Sequence, residues 1–360
     1  MPELVVNPGP DVARARTVTL AAAKGGIGKT TLTAHVAYPL AQYGLRVLVI
    51  DLDAIAGLST ILDASDDGPG LVEFLDYPDI DQKTCVRSPA AWQPDEGTIF
   101  AEGGALIPGG CVHIIPASAG TSESVGRQDP ASLRRLKRSL SRDGFVEDNY
   151  DIVLVDIPGA DSVVVDLALQ AARHLVLALL PESQGLRGFS RTLFRALDAA
   201  EGGLDFNVIG AVTSRYERNR IEHRDVVHAA TQVLSEYLGP ETQWIGLPVP
   251  SRSAVGNANR ARAPLARRGA WRDSITNRTR SMDAVAAYSA IAIAIVRDVI
   301  GDDRADEIVT AITNTEMGEY PKELLLSGVG VQHAPREGDR YFEREDDGND
   351  STDAPTTEEN

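Results

Sequence analysis

Residues 21–33 read AAAKGGIGKTTLT. The β-prone run Thr17–Leu20 (TVTL) precedes them, and an apolar helical pattern through Leu32, Val36 and Leu40 follows. The stretch therefore predicts strand, glycine loop and helix in that order. Wrapping a polyphosphate takes inward-pointing backbone N–H groups, side chains small enough to let the chain close, a helix N-terminus beneath and a lysine for the outer phosphates. All four are present. Lys29 is placed to reach the β and γ phosphates, and Thr30 carries a hydroxyl suited to Mg²⁺.

An ordinary phosphate-binding loop has a glycine five residues ahead of Gly28, where this chain has Ala23. What stands instead is Lys24-Gly25-Gly26-Ile27-Gly28-Lys29-Thr30-Thr31, which resembles the deviant Walker A motif of the ParA/MinD ATPases. The resemblance implies a P-loop NTPase fold, α/β with a mostly parallel central sheet and helices on both faces. It also implies that ATP is held by Lys24 through Thr31, that Lys24 acts in trans across an ATP-bound homodimer, and that Gly25 leaves room for the facing subunit.

Two further strands bring carboxylates toward the same edge. Arg46–Asp51 (RVLVID) is continuously apolar, as a buried parallel strand is, and delivers Asp51 and Asp53 to its C-terminal end. The residues 150–159, YDIVLVDIPG, run into Asp156 as a Walker B strand does. By the resemblance Asp53 positions the attacking water, Thr30, Asp53 and Asp156 serve Mg²⁺, and Asp-Ile-Pro-Gly at 156–159 is the second switch, with a backbone N–H near Gly159 sensing the γ phosphate. The first switch departs from the family: Ala54, Ile55, Ala56 and Gly57 replace its usual proline, glutamine, glycine and asparagine. That departure bears on hydrolysis more than on binding. Strands at Val112–Pro116, His174–Leu180, Asn207–Val212 and Trp244–Pro250 are also expected. Relatives enclose adenine between the last two strand ends, which here offers Thr213 and Pro250 and leaves ATP versus GTP open.

The net charge is −17, and five lysines stand against thirty arginines. An acidic, lysine-poor surface is what a high-salt cytoplasm favours, so a halophilic source is expected. Cys85 and Cys111 are the only cysteines, which argues against a disulfide framework. The longest uncharged apolar stretch, 284–296, is shorter than the ~20 residues that span a bilayer, so a buried helix and a cytoplasmic protein without a stable membrane anchor are expected.

Against the acidic total, residues 251–280 carry eight arginines and one acid, Asp273. Arg215, Arg218, Arg220 and Arg224 form a second cluster. In chromosome-partitioning relatives, arginines of these regions line the DNA face of the ATP dimer. By that resemblance Arg218, Arg220, Arg252, Arg260, Arg262, Arg267 and Arg268 are the DNA-contact candidates, although the strict equivalent in the second region is Ala254. Arginines on phosphates release counterions, and a dimer doubles their number. The expectation is an ATP switch for DNA partitioning, nucleoid-associated, that binds non-specific DNA and is released when a ParB-like or other partner stimulates hydrolysis. Two alternatives stay open: a MinD-like positioning ATPase at a membrane, or a scaffold with negligible turnover. The expected organisation is a flexible segment 1–16, an ATPase domain 17–300 with an insertion at about 68–111 that offers partner or dimer contacts, an acidic helical extension 301–334, and a disordered acidic tail 335–360. A basic amphipathic surface helix is expected at 130–142.

Overall fold

The computed structural model describes residues 16–22, 26–64, 68–97, 103–127, 129–159, 163–217, 219–240, 244–267, 275–315 and 322–329. Lys24, Gly25, Arg218, Arg268 and the 335–360 tail lie outside these residues, as does nearly all of the segment 1–16.

In chain order, β1 (Thr17–Ala21) leads through the glycine loop into α1 (Lys29–Gln42), and β2 (Arg46–Asp51) into α2 (Gly57–Ile61). The next part holds α3 (Leu71–Asp76), β3 (Cys111–Ile115), α4 (Thr121–Val125), α5 (Pro130–Leu133), α6 (Arg135–Leu140) and α7 (Phe145–Asn149). Then come β4 (Ile152–Asp156), α8 (Val163–Ala171), β5 (His174–Leu179), α9 (Ser183–Glu201), β6 (Asn207–Thr213) and α10 (Ile221–Leu238). The chain continues through α11 (Ser253–Arg260), α12 (Ile275–Val299), α13 (Asp302–Asn314) and α14 (Lys322–Ser327).

The strands form one sheet in the order β3-β2-β4-β1-β5-β6, and every pairing is parallel. Parallel strands need crossovers over the sheet faces, so both faces are covered and strand residues are buried on both sides. Val18, Leu20, Val47, Val49 and Leu154 face the layer containing α1, α12 and α13. Their neighbours in sequence, Leu48, Ile50, Val153 and Val155, face the layer of α8, α9 and α10. The extension beyond residue 301 joins the first layer through Ile308, Ile312 and Leu325.

Register decides where the chemistry gathers. Leu20 and Asp51 both pair with Asp156, so the loops after β1, β2 and β4 leave the sheet side by side at its C-terminal edge. This is the edge at which open α/β sheets hold ligands.

Two local expectations are revised. Residues 130–142 form two short helices, α5 and α6, which meet at Arg134 with φ −91° and ψ 2°. Arg135 is buried there, not solvated: it pairs with Asp76 and donates to the Ser124 hydroxyl at 3.1 Å. Residues 244–250 do not form a sheet strand; a single bridge joins Trp244 to Ala211 of β6, and another joins Pro250 to Tyr216 beyond the end of β6. Gly246, at φ +65°, and two prolines explain why: the prolines lack N–H donors for a ladder. The region 68–111 contributes to the core through Leu71, Phe74, Leu75 and Trp92.

Candidate nucleotide site

The loop owes its shape to glycine. Gly26 (φ +76°) and Gly28 (φ +89°) sit in the left-handed region, which L side chains resist. Gly28 caps α1 without any side-chain acceptor, so the first amides of the helix, which have no helical carbonyl to bond, remain directed at the loop. Two residues just after β6 brace the loop from outside. Ser214 Oγ donates to the Ile27 carbonyl at 2.5 Å, and Arg215, at φ +54°, donates to the Gly26 carbonyl at 3.4 Å.

Beneath the loop Lys29 and Asp156 are both buried. Burial lowers the Lys29 pKa, and the carboxylates of Asp156 and Asp53 draw it back up. Burial first, and then the neighbouring Asp51 carboxylate, push Asp156 up to about 8, only partly offset by the Thr30 hydroxyl and Lys29. Neither Asp156 oxygen is met by a protein donor at hydrogen-bonding geometry among the described residues. An orphaned buried carboxylate beside a threonine hydroxyl is costly alone and well matched to a hard cation. No cluster of three or more acidic, histidine or cysteine residues that would cage a metal is found among the described residues.

Asp51 and Asp53 behave differently. Asp51 is buried and accepts the Ser59 hydroxyl at 2.7 Å, the Ser59 amide at 2.9 Å and the Asp53 amide at 3.1 Å. Burial raises its pKa to about 6 in spite of these donors. It is a strut for the first switch segment. Asp53 is half-exposed, within electrostatic reach of Lys29, and accepts the Ile55 amide at 2.9 Å. Where the family departs, Ala56 takes a left-handed conformation at φ +56° and starts α2. Ile55 is left 85% exposed, and a Cβ on Gly57 would lie 3.4 Å from Thr30.

Thr213 is buried, and its hydroxyl has no partner among the described residues. It lines a small cavity with Tyr216, Trp244, Gly246, Leu247 and Pro248. Pro250 stands outside that lining, bridged to Tyr216.

The described arginines of the DNA candidates are engaged with this chain's own groups. Arg252 pairs with Asp283 and Arg262 with Asp63, while Arg267 reaches Asp95 at 2.5 Å and the Gln93 carbonyl at 2.6 Å. Arg260 donates to Asn257, and Arg220 lies 3.8 Å from Glu222. Sequence reasoning passed over Ser214, His35 and Asn259. Only Ser214 had a signal, its place directly after a strand ending at the site edge.

A six-stranded parallel sheet whose first strand runs through a glycine loop into a helix, with a buried lysine and a buried aspartate at the same edge, is the P-loop NTPase fold. Residues 15–201 match AAA_31, described as an AAA domain. The chain is 31% identical over 205 residues to a ParA family protein of Chlamydia trachomatis, covering 55% of this chain and 71% of that one. It is 27% identical over 246 residues to the chromosome-partitioning ATPase Soj of Thermus thermophilus, covering 66% and 82%. In fold it is similar to apo McdA of Cyanothece, with a TM-score of 0.60 at 17% identity over 78% of this chain and 99% of that one. It is likewise similar to the septum site-determining protein MinD of Pyrococcus horikoshii, solved with Mg-ADP, with a TM-score of 0.53 at 19% identity over 77% and 94%. The chain belongs to the ParA family.

Proposed function

We propose that this protein is an ATP-driven dimerisation switch for DNA partitioning. The observation that carries the reading is a buried Lys29 within electrostatic reach of a buried Asp156 whose oxygens meet no donor at hydrogen-bonding geometry among the described residues, beneath a glycine loop at the sheet edge.

In this reading Gly26 to Thr31 bind the triphosphate through backbone amides, and Lys29 neutralises its outer charge. Thr30 and Asp156, with Asp53 alongside, hold Mg²⁺, which when bound supplies charge neutralisation at the β and γ phosphates. Asp53 orients the attacking water, and Asp51 fixes the backbone from which Asp53 projects. Lys24 acts from the facing protomer, and Gly25 leaves room for it. Thr213 and Pro250 contact the base. Catalysis of this kind rests on placement and electrostatics, so turnover is slow until a partner protein of the ParB type completes the arrangement.

Non-specific DNA binds to Arg218, Arg220, Arg252, Arg260, Arg262, Arg267 and Arg268 of the ATP dimer. The described arginines of this set exchange their own carboxylate or amide partners for phosphates. The exposed pairs, Arg262 with Asp63 and Arg220 with Glu222, are weak at about 0–1 kcal/mol each and exchange readily, whereas Arg252 and Arg267 are partly buried and give up more. Work on the nucleoid follows from this reading.

Steady-state phosphate release with Mg-ATP tests the enzyme. Wild-type turnover that Lys29→Ala abolishes and Asp53→Ala lowers at least ~10-fold supports the roles given. Tight ATP binding with turnover no greater than that of Asp53→Ala would favour the scaffold reading.

A further inference from the structure

Thr31 and Thr33 occupy the same helix, yet their hydroxyls differ. A threonine inside a helix normally donates to the carbonyl four residues back. Thr33 does so, to Lys29 at 3.0 Å. The corresponding acceptor for Thr31 is the Ile27 carbonyl, which already takes the Ser214 hydroxyl. Thr31 Oγ1 instead accepts a hydrogen bond from Asn259 Nδ2 at 3.0 Å.

The direction of that bond is fixed by a backbone amide. The Leu265 N–H can only donate, and it points at His35 Nδ1 at 3.3 Å. The His35 proton therefore sits on Nε2, which donates to Asn259 Oδ1 at 2.9 Å. Burial keeps the ring neutral by lowering its pKa to about 4, and stacking on Tyr288 with ring centres 5.1 Å apart holds its plane. With Asn259 Oδ1 occupied by His35, its amide nitrogen faces Thr31. The Thr31 hydroxyl, accepting there, has its proton left to give, and it has no acceptor among the described residues.

We propose that Asn259, oriented by His35, positions the Thr31 hydroxyl as a hydrogen-bond donor to the phosphates of the bound nucleotide. The proposal rests on the nucleotide reading above. Asn259 is a positioning residue: it lies on α11, between Arg252 and Arg262, and acts through Thr31. The same bonds tie the arginine-bearing segment to the phosphate loop, so a nucleotide that engages Thr31 also engages that segment.

The test is the affinity of the full-length protein for a fluorescent ATP analogue with Mg²⁺, with thermal unfolding of each variant alongside. Asn259→Ala should weaken binding about tenfold, since an oriented donor to a charged group is lost. Asn259→Asp keeps the shape and the bond from His35, but it can only accept from Thr31 and so turns the hydroxyl proton away from the phosphates. It should bind more weakly than Asn259→Ala while unfolding no earlier. In a Thr31→Val background, Asn259→Ala should cause no further loss. Wild-type affinity in Asn259→Ala, or a full additional loss in the Thr31→Val background, overturns the proposal. Absence of binding by the wild type, indistinguishable from Lys29→Ala, overturns the nucleotide reading itself.

Discussion

Ser214 holds the carbonyl of Ile27 with a hydrogen bond of 2.5 Å, so the end of β6 carries part of the phosphate loop. Both groups are buried. Ser214→Ala frees that carbonyl, and the Thr31 hydroxyl turns to it by the ordinary helical bond. Nucleotide affinity measured by titration calorimetry should fall roughly 3- to 10-fold, with a stability loss of about 1–2 kcal/mol.

Asp156 and Asp51 make the nucleotide-free protein sensitive to alkali. Folding raises both pKa values above the usual 3.8, to about 8 and about 6. Their contribution to stability is therefore complete below pH 4 and is lost as pH rises through about 6 and then about 8. In EDTA at pH 8, Asp156→Asn should be more stable than wild type by roughly 1–3 kcal/mol in urea unfolding. The same variant should gain almost nothing from Mg-ATP, which stabilises the wild type.

His35 acts in the opposite sense. Its folded pKa, about 4, lies below the ordinary 6.5, so its contribution is complete above pH 6.5 and is lost as pH falls toward 4. Wild type should lose roughly 3 kcal/mol relative to a His35→Gln variant over that interval. Urea unfolding of the two proteins at pH 7 and pH 4 gives the difference directly.

Gly246 stands at φ +65° in the bend that replaces a seventh strand, and a Cβ there would lie 2.8 Å from the Ile291 nitrogen in α12. Neither the backbone angle nor the packed helix can give. Gly246→Ala should cost more than 2 kcal/mol in thermal or urea unfolding.

How much of this was readable beforehand follows from how local each feature is. The loop at 24–31 and the strand ending in Asp156 are contiguous signals, and they yielded the fold class, the parallel sheet and the edge where the loops meet. The bend at 244–250 was misread because its apolar residues look like a strand, while Gly246 and the prolines decide otherwise. Arg135 was misread because a charge in an amphipathic pattern reads as solvated, and only the fold brings Asp76 and Ser124 to it. Asn259 and His35 lie 224 positions apart and signal nothing alone; the contact between α1 and α11 gives them meaning.

The pairing of Arg252 with Asp283 makes a separate prediction for DNA. Asp283→Asn removes the competing carboxylate, so affinity for non-specific duplex at fixed salt should rise about 2- to 5-fold in the ATP state. The salt dependence should keep its slope, since the number of phosphate contacts is unchanged.

The central claim, a switch thrown by ATP, is tested most directly by retention of non-specific duplex DNA across a salt series, with ATP and with ADP, for wild type and Arg218→Glu. The account predicts binding with ATP alone, steeply weakened by salt and lost in Arg218→Glu. Binding that is equal in the two nucleotide states, or absent from both at every salt concentration, would contradict it.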